Sequence, residues 1–309
     1  MNDMKLSYFT NDESFPLFVQ FGAHDVPLFV HGHEDFYELV TVLDGSAEHI
    51  VDGERSVISK GDVFVIGNGI SHGFDNTHGL RVCNIMYRPE MLFSGDMDIR
   101  KIPGFHALFL LEPYFSSTQH FQSRLRLTHA DFALVMPLLE RTESEYTSDS
   151  PGRNTMVLAC VRQLAVILSR LYDCPAKPRE ISGMADAAAF METHFAEAVP
   201  ISEVIERSHY SQRHFIRLFS SAYGMTPQRY LLDVRIRHAT SMLRDSGAAS
   251  AIRTISAVFS ESTLEAPRAN SEETGEINSE FGIRNAELWC PASPDNYKTA
   301  MAERTPNLL

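Results

Sequence analysis

Hydrophobic periodicity changes once along this chain of 309 residues, near Pro89, and that change limits the fold more than any other feature. Over residues 15–88 the runs PLFVQFG, DFYELVTVLDG, HIVDGERSVISKGDVFVIGNG and LRVCNIMY are rich in β-branched and aromatic residues and are broken by turn residues. Short runs of this kind predict a small antiparallel barrel or sandwich. Asp44-Gly45 and Asp52-Gly53 are hairpin-type signals within it. After Pro89, residues 132–146 and 154–172 repeat apolar side chains at three- and four-residue spacing, which predicts helices with a buried stripe. The second stretch is apolar over more than one face, so it either packs on the barrel or dimerises. DCPAKPRE, at about residues 173–180, has two prolines and four charges and reads as a linker.

Residues 200–247 read PISEVIERSHYSQRHFIRLFSSAYGMTPQRYLLDVRIRHATSMLRDSG. Ile201, Val204 and Ile205 line one face of a short helix, and Ser208-His209-Tyr210 makes a turn. Ser211 is placed to cap the next helix, whose apolar residues include Phe215, Ile216 and Phe219. Gly224 ends that helix, and Thr226 caps a longer one with Pro227 at its first position. Two short helices joined by a tight turn form a helix-turn-helix, whose second helix is sized for the DNA major groove. Arg213 and Arg217 lie four apart on that helix and share a face. The arginine fork can bond guanine O6 and N7 together, or clamp a phosphate. Two arginines alone read as an ordinary solvated face; the turn, caps and buried pattern around them favour the helix-turn-helix.

Charge first argues the other way, because 27 Lys+Arg stand against 40 Asp+Glu, for a net charge of −13. The acidity is segmental. Residues 1–175 carry 13 basic and 23 acidic groups, residues 176–258 carry 10 and 8, and residues 259–309 carry 4 and 9. Only the helix-turn-helix segment is locally basic. Cys83, Cys160, Cys174 and Cys290 have no CxxC spacing, which indicates neither a disulfide framework nor a thiolate zinc site. No apolar run approaches the roughly 20 residues of a membrane span, and the first residues lack a secretory signal pattern, so a cytoplasmic protein is expected.

The stretch ISEVIERSHYSQRHFIRLFSSAYGMTPQRYLLDVRIRHATSMLRDSG resembles the AraC/XylS family of bacterial transcription regulators. The family pattern is matched by Ser211, Phe215, Phe219, Gly224, Pro227, Tyr230, Arg235, Ala239 and Leu243. The resemblance implies two helix-turn-helix motifs bridged by a long helix, here about residues 227–245. It places Gln212, Arg213, His214 and Arg217 on the recognition helix, with Arg213 and Arg217 toward DNA. It also implies promoter DNA, a homodimer partner and RNA polymerase as partners, with no membrane. The second motif departs from the family. Residues 250–259 look like its first helix, but no second recognition helix follows, and residues 260–280 carry six glutamates and few apolar side chains. A disordered tail is expected there. A reading-frame change near residue 257 and a genuine tail both remain open. Either way the second motif's phosphate contacts are missing, so weak or absent operator binding is expected.

The strand-rich half holds another constellation. His31, Gly32, His33, Glu38 and Gly45 fit the first cupin metal motif, and Gly61, Gly69, His72 and Asn76 fit the second, with Gly67 where proline is usual. This resembles the cupin fold over about residues 15–90. His31 and His33 share one side of a strand because the side-chain period is two. With Glu38 and His72 they form a set of three nitrogens and one oxygen suited to Zn, Mn, Fe or Ni. Three occupancies remain open: a catalytic divalent metal, a structural or effector-assisting metal, and a metal-free effector pocket. RVCNIMYRPE, with Asn84, Tyr87 and Arg88, resembles the rhamnose-responsive branch of the regulator family, which implies a sugar effector contacted by Asn84 and Arg88 as well. His24, His49, His78, His106, His120 and His129 lack ligand-like spacing and are expected at surface or turn positions. No P-loop, dinucleotide fingerprint or Gly-x-Ser-x-Gly is present.

The expected fold is therefore α+β. Residues 1–95 are expected to form a cupin-type β-barrel for the effector, 96–180 a helical connector and candidate dimerisation region, 181–258 an all-α DNA-binding region, and 259–309 an irregular tail. The expected function is effector-responsive transcription control with no catalytic residues. The competing reading is a metal-dependent cupin enzyme with an appended helical domain. A third is a truncated chain acting through heterodimers with an intact relative.

Overall fold

The computed structural model describes residues 3–93, 98–118, 124–172 and 179–246. Of the linker expected at about 173–180, residues 173–178 lie outside the described residues and 179–180 begin a helix; the first helix of a second motif at 250–259 and the tail at 259–309 also lie outside the described residues.

Eight strands form one sheet: β1 Asp3–Met4, β2 Leu17–His24, β3 Leu28–His33, β4 Tyr37–Val51, β5 Glu54–Ser59, β6 Asp62–Ile66, β7 Ser71–Tyr87 and β8 Leu125–Arg126. Pairing runs β1-β3-β7-β4-β6-β8, with β2 added on β7 and β5 on β4. All pairs are antiparallel except β1 with β3. The path does not return on itself, so the expected barrel is an open cupin-like sheet. Residue alternation divides its apolar side chains into two cores. Val40, Val42, Phe64, Ile66, Phe74, Leu80 and Val82 pack together on one face. Leu17, Val19, Leu39, Val63, Val65, Ile85 and Tyr87 join the helices on the other.

Asp52-Gly53 makes the expected two-residue hairpin between β4 and β5, with φ of 45° and 89°. Asp44-Gly45 does not make a hairpin. It lies inside β4 where the register with β7 shifts, and Gly45 has φ 74°. A Cβ there would lie 2.2 Å from the Gly79 carbonyl oxygen, so only glycine lets the two strands cross so closely.

The helices are α1 Pro89–Phe93, α2 Pro103–Phe105, α3 Glu112–Thr118, α4 His129–Tyr146, α5 Arg153–Tyr172, α6 Arg179–Thr193, α7 Ile201–Ser208, α8 Gln212–Tyr223 and α9 Pro227–Ser246. A 3₁₀ turn, Ile99–Lys101, precedes α2, and a π-helix, His106–Leu111, joins α2 to α3. The connector is not wholly helical, because its Leu125–Arg126 strand extends the sheet at β6. Asp62 is the reason for this docking. Its fully buried carboxylate accepts from the Ser59 amide at 2.8 Å and lies 3.7 Å from both Arg124 and Arg126. Thr128 and Asp131 form a reciprocal cap at the start of α4.

Among the described residues, α5 is long and apolar enough to cross a membrane by length and composition. Val157, Val161, Leu164, Ala165 and Leu168 are all buried in the core, which accounts for that apolarity by packing. At Gly104 of α2 a Cβ would lie 1.9 Å from the Ser169 carbonyl oxygen, so α2 and α5 approach at backbone distance.

Candidate functional site

The barrel site starts from strand register. His31 pairs with His72 across β3 and β7, and His33 follows on the same face. Glu38 enters from β4, opposite Met86. His33 Nε2 lies 3.1 Å from His72 Nε2, and Glu38 Oε2 lies 3.2 Å from His72 Nε2 and 3.5 Å from His33 Nε2. One ligand-capable nitrogen from each of His31, His33 and His72 falls within 4.8 Å of the others. The expected quartet is thus assembled, and all four side chains are buried.

Burial sets the protonation of this cluster. It lowers the His31 pKa to about 4 and the His33 pKa to about 3, with His72 adding repulsion in both cases. Burial alone would raise Glu38, but its contact with His72 and the neighbouring imidazoles outweigh that and hold it at about 2. An anionic carboxylate beside the neutral imidazoles of His31 and His33 suits a divalent cation. His31 Nδ1 lies 3.1 Å from the Phe29 carbonyl oxygen, which can only accept, so Nδ1 carries the proton and Nε2 keeps its lone pair. His33 Nδ1 and His72 Nδ1 are buried without a hydrogen-bond partner. The donor set and its unmet atoms fit a divalent ion.

Asn84 lies opposite Val40 on the same face of β7 as Val82, and its buried Oδ1 has no partner. Arg88 is not brought to the cluster. Its guanidinium pairs with Asp35 Oδ2 at 2.5 Å, while Asp35 Oδ1 accepts from the Leu6 amide, so it ties the end of β7 to the amino-terminal segment.

Two histidines expected at the surface are buried. His49 lies opposite Phe74, two positions from the Val51–His72 pair, and is therefore on the histidine face. Its ring stacks on Phe64 at 4.5 Å and meets His72 at 5.8 Å, and its Nε2 is buried without a partner. The period-two series Ala47, His49, Val51 was the available signal, and motif spacing passed over it. His106 is fully buried in the connector. His78 and His129 are exposed, as expected.

In the helix-turn-helix, α7 ends at His209 with φ 60° and α8 at Gly224 with φ 68°, both left-handed caps. Ser211 occupies the N-cap position of α8 without the expected side-chain hydrogen bond; its carbonyl accepts from the Phe215 amide. Thr226 Oγ1 accepts from the Arg229 amide at 3.3 Å, as expected. Phe215, Leu218 and Phe219 bury one side of α8, which leaves Gln212, Arg213, His214 and Arg217 exposed. Neither arginine forms an ion pair among the described residues.

Comparison with known proteins agrees with this geometry. Residues 18–86 match the cupin domain, and residues 191–232 match the bacterial regulatory helix-turn-helix proteins of the AraC family. The chain thus carries a segment that matches the AraC-family helix-turn-helix behind an amino-terminal segment that matches the cupin domain. Among curated relatives, the HTH-type transcriptional activator RhaS of Escherichia fergusonii is 29% identical over 222 residues, covering 71% of this chain and 75% of its own. RhaS of Enterobacter sp. is 28% identical over 217 residues, covering 70% and 74%. A solved AraC-like transcriptional activator, CuxR, is 14% identical over 72% of each chain, with a TM-score of 0.33.

Proposed function

We propose that this chain controls transcription by binding promoter DNA through Gln212, Arg213, His214 and Arg217, with an affinity lowered by the absence of a second motif's phosphate contacts, and that a sugar held in the cupin domain biases that binding. One observation carries the reading: within an AraC-family segment, α8 presents Arg213 and Arg217 to solvent without intramolecular ion pairs, beside a fully packed opposite face. Two unpaired forks on one face suit bidentate base or phosphate contact.

The effector site is proposed as His31, His33, Glu38 and His72 with Asn84 and His49. Glu38 offers a carboxylate to an effector hydroxyl, and Asn84 Oδ1 and His49 Nε2 are the further unmet atoms on the same face. Arg88 is left out because Asp35 holds it. The same three histidines and Glu38 would hold a divalent ion, which when bound would polarise an effector hydroxyl. The sugar class rests on the resemblance of residues 81–90 to the rhamnose-responsive branch and on the activators named above. A cytoplasmic homodimer with RNA polymerase as a further partner belongs to the proposal on the same family grounds.

No catalytic role is assigned, because the relatives are named as transcriptional activators and the polar cluster serves recognition. For an effector to switch DNA binding it must favour one of two arrangements of the chain over the other. Thermal unfolding with a panel of monosaccharides that includes L-rhamnose tests the pocket. A binder raises the melting temperature of the wild-type chain, and His33→Ala or Glu38→Ala abolishes the rise. An unchanged response in both variants contradicts the pocket. Stoichiometric iron or manganese with substrate turnover would instead favour the cupin-enzyme reading.

A further inference from the structure

The connector contains a feature that the regulator reading leaves unused. The π-helix His106–Leu111 interrupts an otherwise α-helical run, a geometry that is rare and concentrates at functional positions. His106 Nε2 lies 2.6 Å from the Arg100 carbonyl oxygen, and His106 Nδ1 lies 3.2 Å from Tyr223 Oη. The carbonyl only accepts, so Nε2 carries the proton, and the neutral ring receives the Tyr223 hydroxyl proton at Nδ1. Burial keeps the ring neutral by lowering its pKa to about 4. Tyr223 is the last residue of α8, the recognition helix, so this bond joins the connector to the DNA-reading element across 117 positions of sequence.

Packed rings extend from the bond in both directions. Tyr223 stacks on Phe219 at 4.3 Å within α8. On the other side Phe105 adjoins His106, Phe105 meets Phe93 at 4.9 Å, Phe93 meets Tyr87 at 5.9 Å and Tyr87 meets Tyr37 at 6.2 Å. Tyr37 and Tyr87 are register partners, one step from the Glu38–Met86 pair. The rings therefore run without a gap from the residue beside Glu38 to the recognition helix.

We propose that the His106–Tyr223 hydrogen bond is an interdomain latch that fixes the orientation of the recognition helix and receives changes at Glu38 through Tyr37, Tyr87, Phe93 and Phe105. The latch does not cover the DNA-reading face, since Gln212, Arg213, His214 and Arg217 are exposed while it is closed. It sets where that face points. The π-helix supplies the element with two arrangements that coupling requires. Return to α geometry shifts its hydrogen bonds by one residue and turns His106 by roughly 100° relative to the following helix, which withdraws Nδ1 from Tyr223. The latch rests on the regulator reading for its purpose, but its test uses neither DNA nor effector.

The test is amide hydrogen exchange on the full chain, comparing wild type with Tyr223→Phe, which keeps the ring and removes only the hydroxyl. Loss of one net hydrogen bond is expected to speed exchange about fivefold in residues 106–111 and 212–223 together. The barrel strands β4 and β7 are expected to be unchanged. Glu38→Gln is expected to alter exchange in residues 212–223 when Tyr223 is present, and to lose that effect in the Tyr223→Phe background. His106→Gln serves as a second route to the same open state, and with Tyr223→Phe it is expected to add nothing. Unchanged exchange in Tyr223→Phe, an effect confined to 212–223, additivity of the two latch variants, or an equal Glu38→Gln effect in both backgrounds would each overturn the latch. The regulator reading would then still stand or fall by its own DNA titration.

Discussion

The cupin domain and the helix-turn-helix handle polar groups in opposite ways. In the cupin domain the chemistry faces inward: His33, Glu38, His49, His72 and Asn84 are at most 9% exposed, and His33, His49, His72 and Asn84 each have a side-chain atom without a hydrogen-bond partner. In the helix-turn-helix the chemistry faces outward, and a buried carboxylate beneath it, Glu192, is well bonded. Glu192 accepts from Tyr230 Oη at 2.7 Å and from Arg237 Nη2 at 2.8 Å. A buried polar atom left unmet costs about 1–3 kcal/mol. A ligand or ion that met those atoms would stabilise the cupin face, whereas the DNA-reading side chains of α8 already face solvent. On the proposed reading a ligand would change the stability of the first region, and the second would respond through its orientation.

The largest expected effect breaks the cupin side of this contrast. A barrel ligand at a hundred times its dissociation constant stabilises the chain by about 3 kcal/mol, measured by denaturant unfolding, and Glu38→Ala removes that increment. An increment that survives Glu38→Ala would show that the ligand sits elsewhere. The same variant is expected to lose stoichiometric binding of added Zn(II) or Co(II), measured by equilibrium dialysis. Retained metal would assign the ion to other residues.

An effect of comparable size concerns pH at the junction. His106 faces Arg100 on the 3₁₀ turn, Glu192 on α6, Tyr223 on α8 and Arg237 on α9, and burial dominates in lowering its pKa to about 4. The unfolded ring takes up its proton near 6.5, so between pH 6.5 and 4 the unfolded state binds more protons. Stability therefore falls as pH drops through that window, by up to about 3 kcal/mol, and is flat above it. His106→Gln is expected to make this part of the profile shallower in pH-dependent unfolding, leaving the slope that His31 and His33 contribute. A profile identical to wild type would remove His106 from the account.

The smallest expected effect is that of Tyr223→Phe, about 1 kcal/mol of stability by denaturant unfolding with an unchanged m-value. A loss of several kcal/mol would mean that the hydroxyl supports the whole core and does more than join two regions.

The contrast also explains what the sequence revealed. Motif spacing located His31, His33, Glu38 and His72 because a strand repeats every two residues and these ligands lie on adjacent paired strands. Helical periodicity located α7, α8 and the start of α9 at Pro227 because their buried faces are local. The misses share a cause, which is dependence on distant backbone. Asp44-Gly45 has the composition of a hairpin, yet the Gly79 carbonyl makes it a crossing point within β4. His106 carries no local signal because its partner is 117 residues away. Leu125–Arg126 is too short to read as a strand, and it pairs because Asp62 fixes the arginines on either side of Leu125. Arg88 matched a motif, but Asp35 claims it.

The central claim, that this chain reads DNA through α8, is tested most directly by equilibrium titration. A duplex selected from a random pool by the full chain is titrated with wild type and with the Arg213→Ala/Arg217→Ala variant at low and physiological salt. At about 1–3 kcal/mol for each arginine, the double substitution is expected to weaken sequence-specific binding by at least about tenfold and to reduce its dependence on salt. Equal affinity and equal salt dependence in the two proteins would contradict the account.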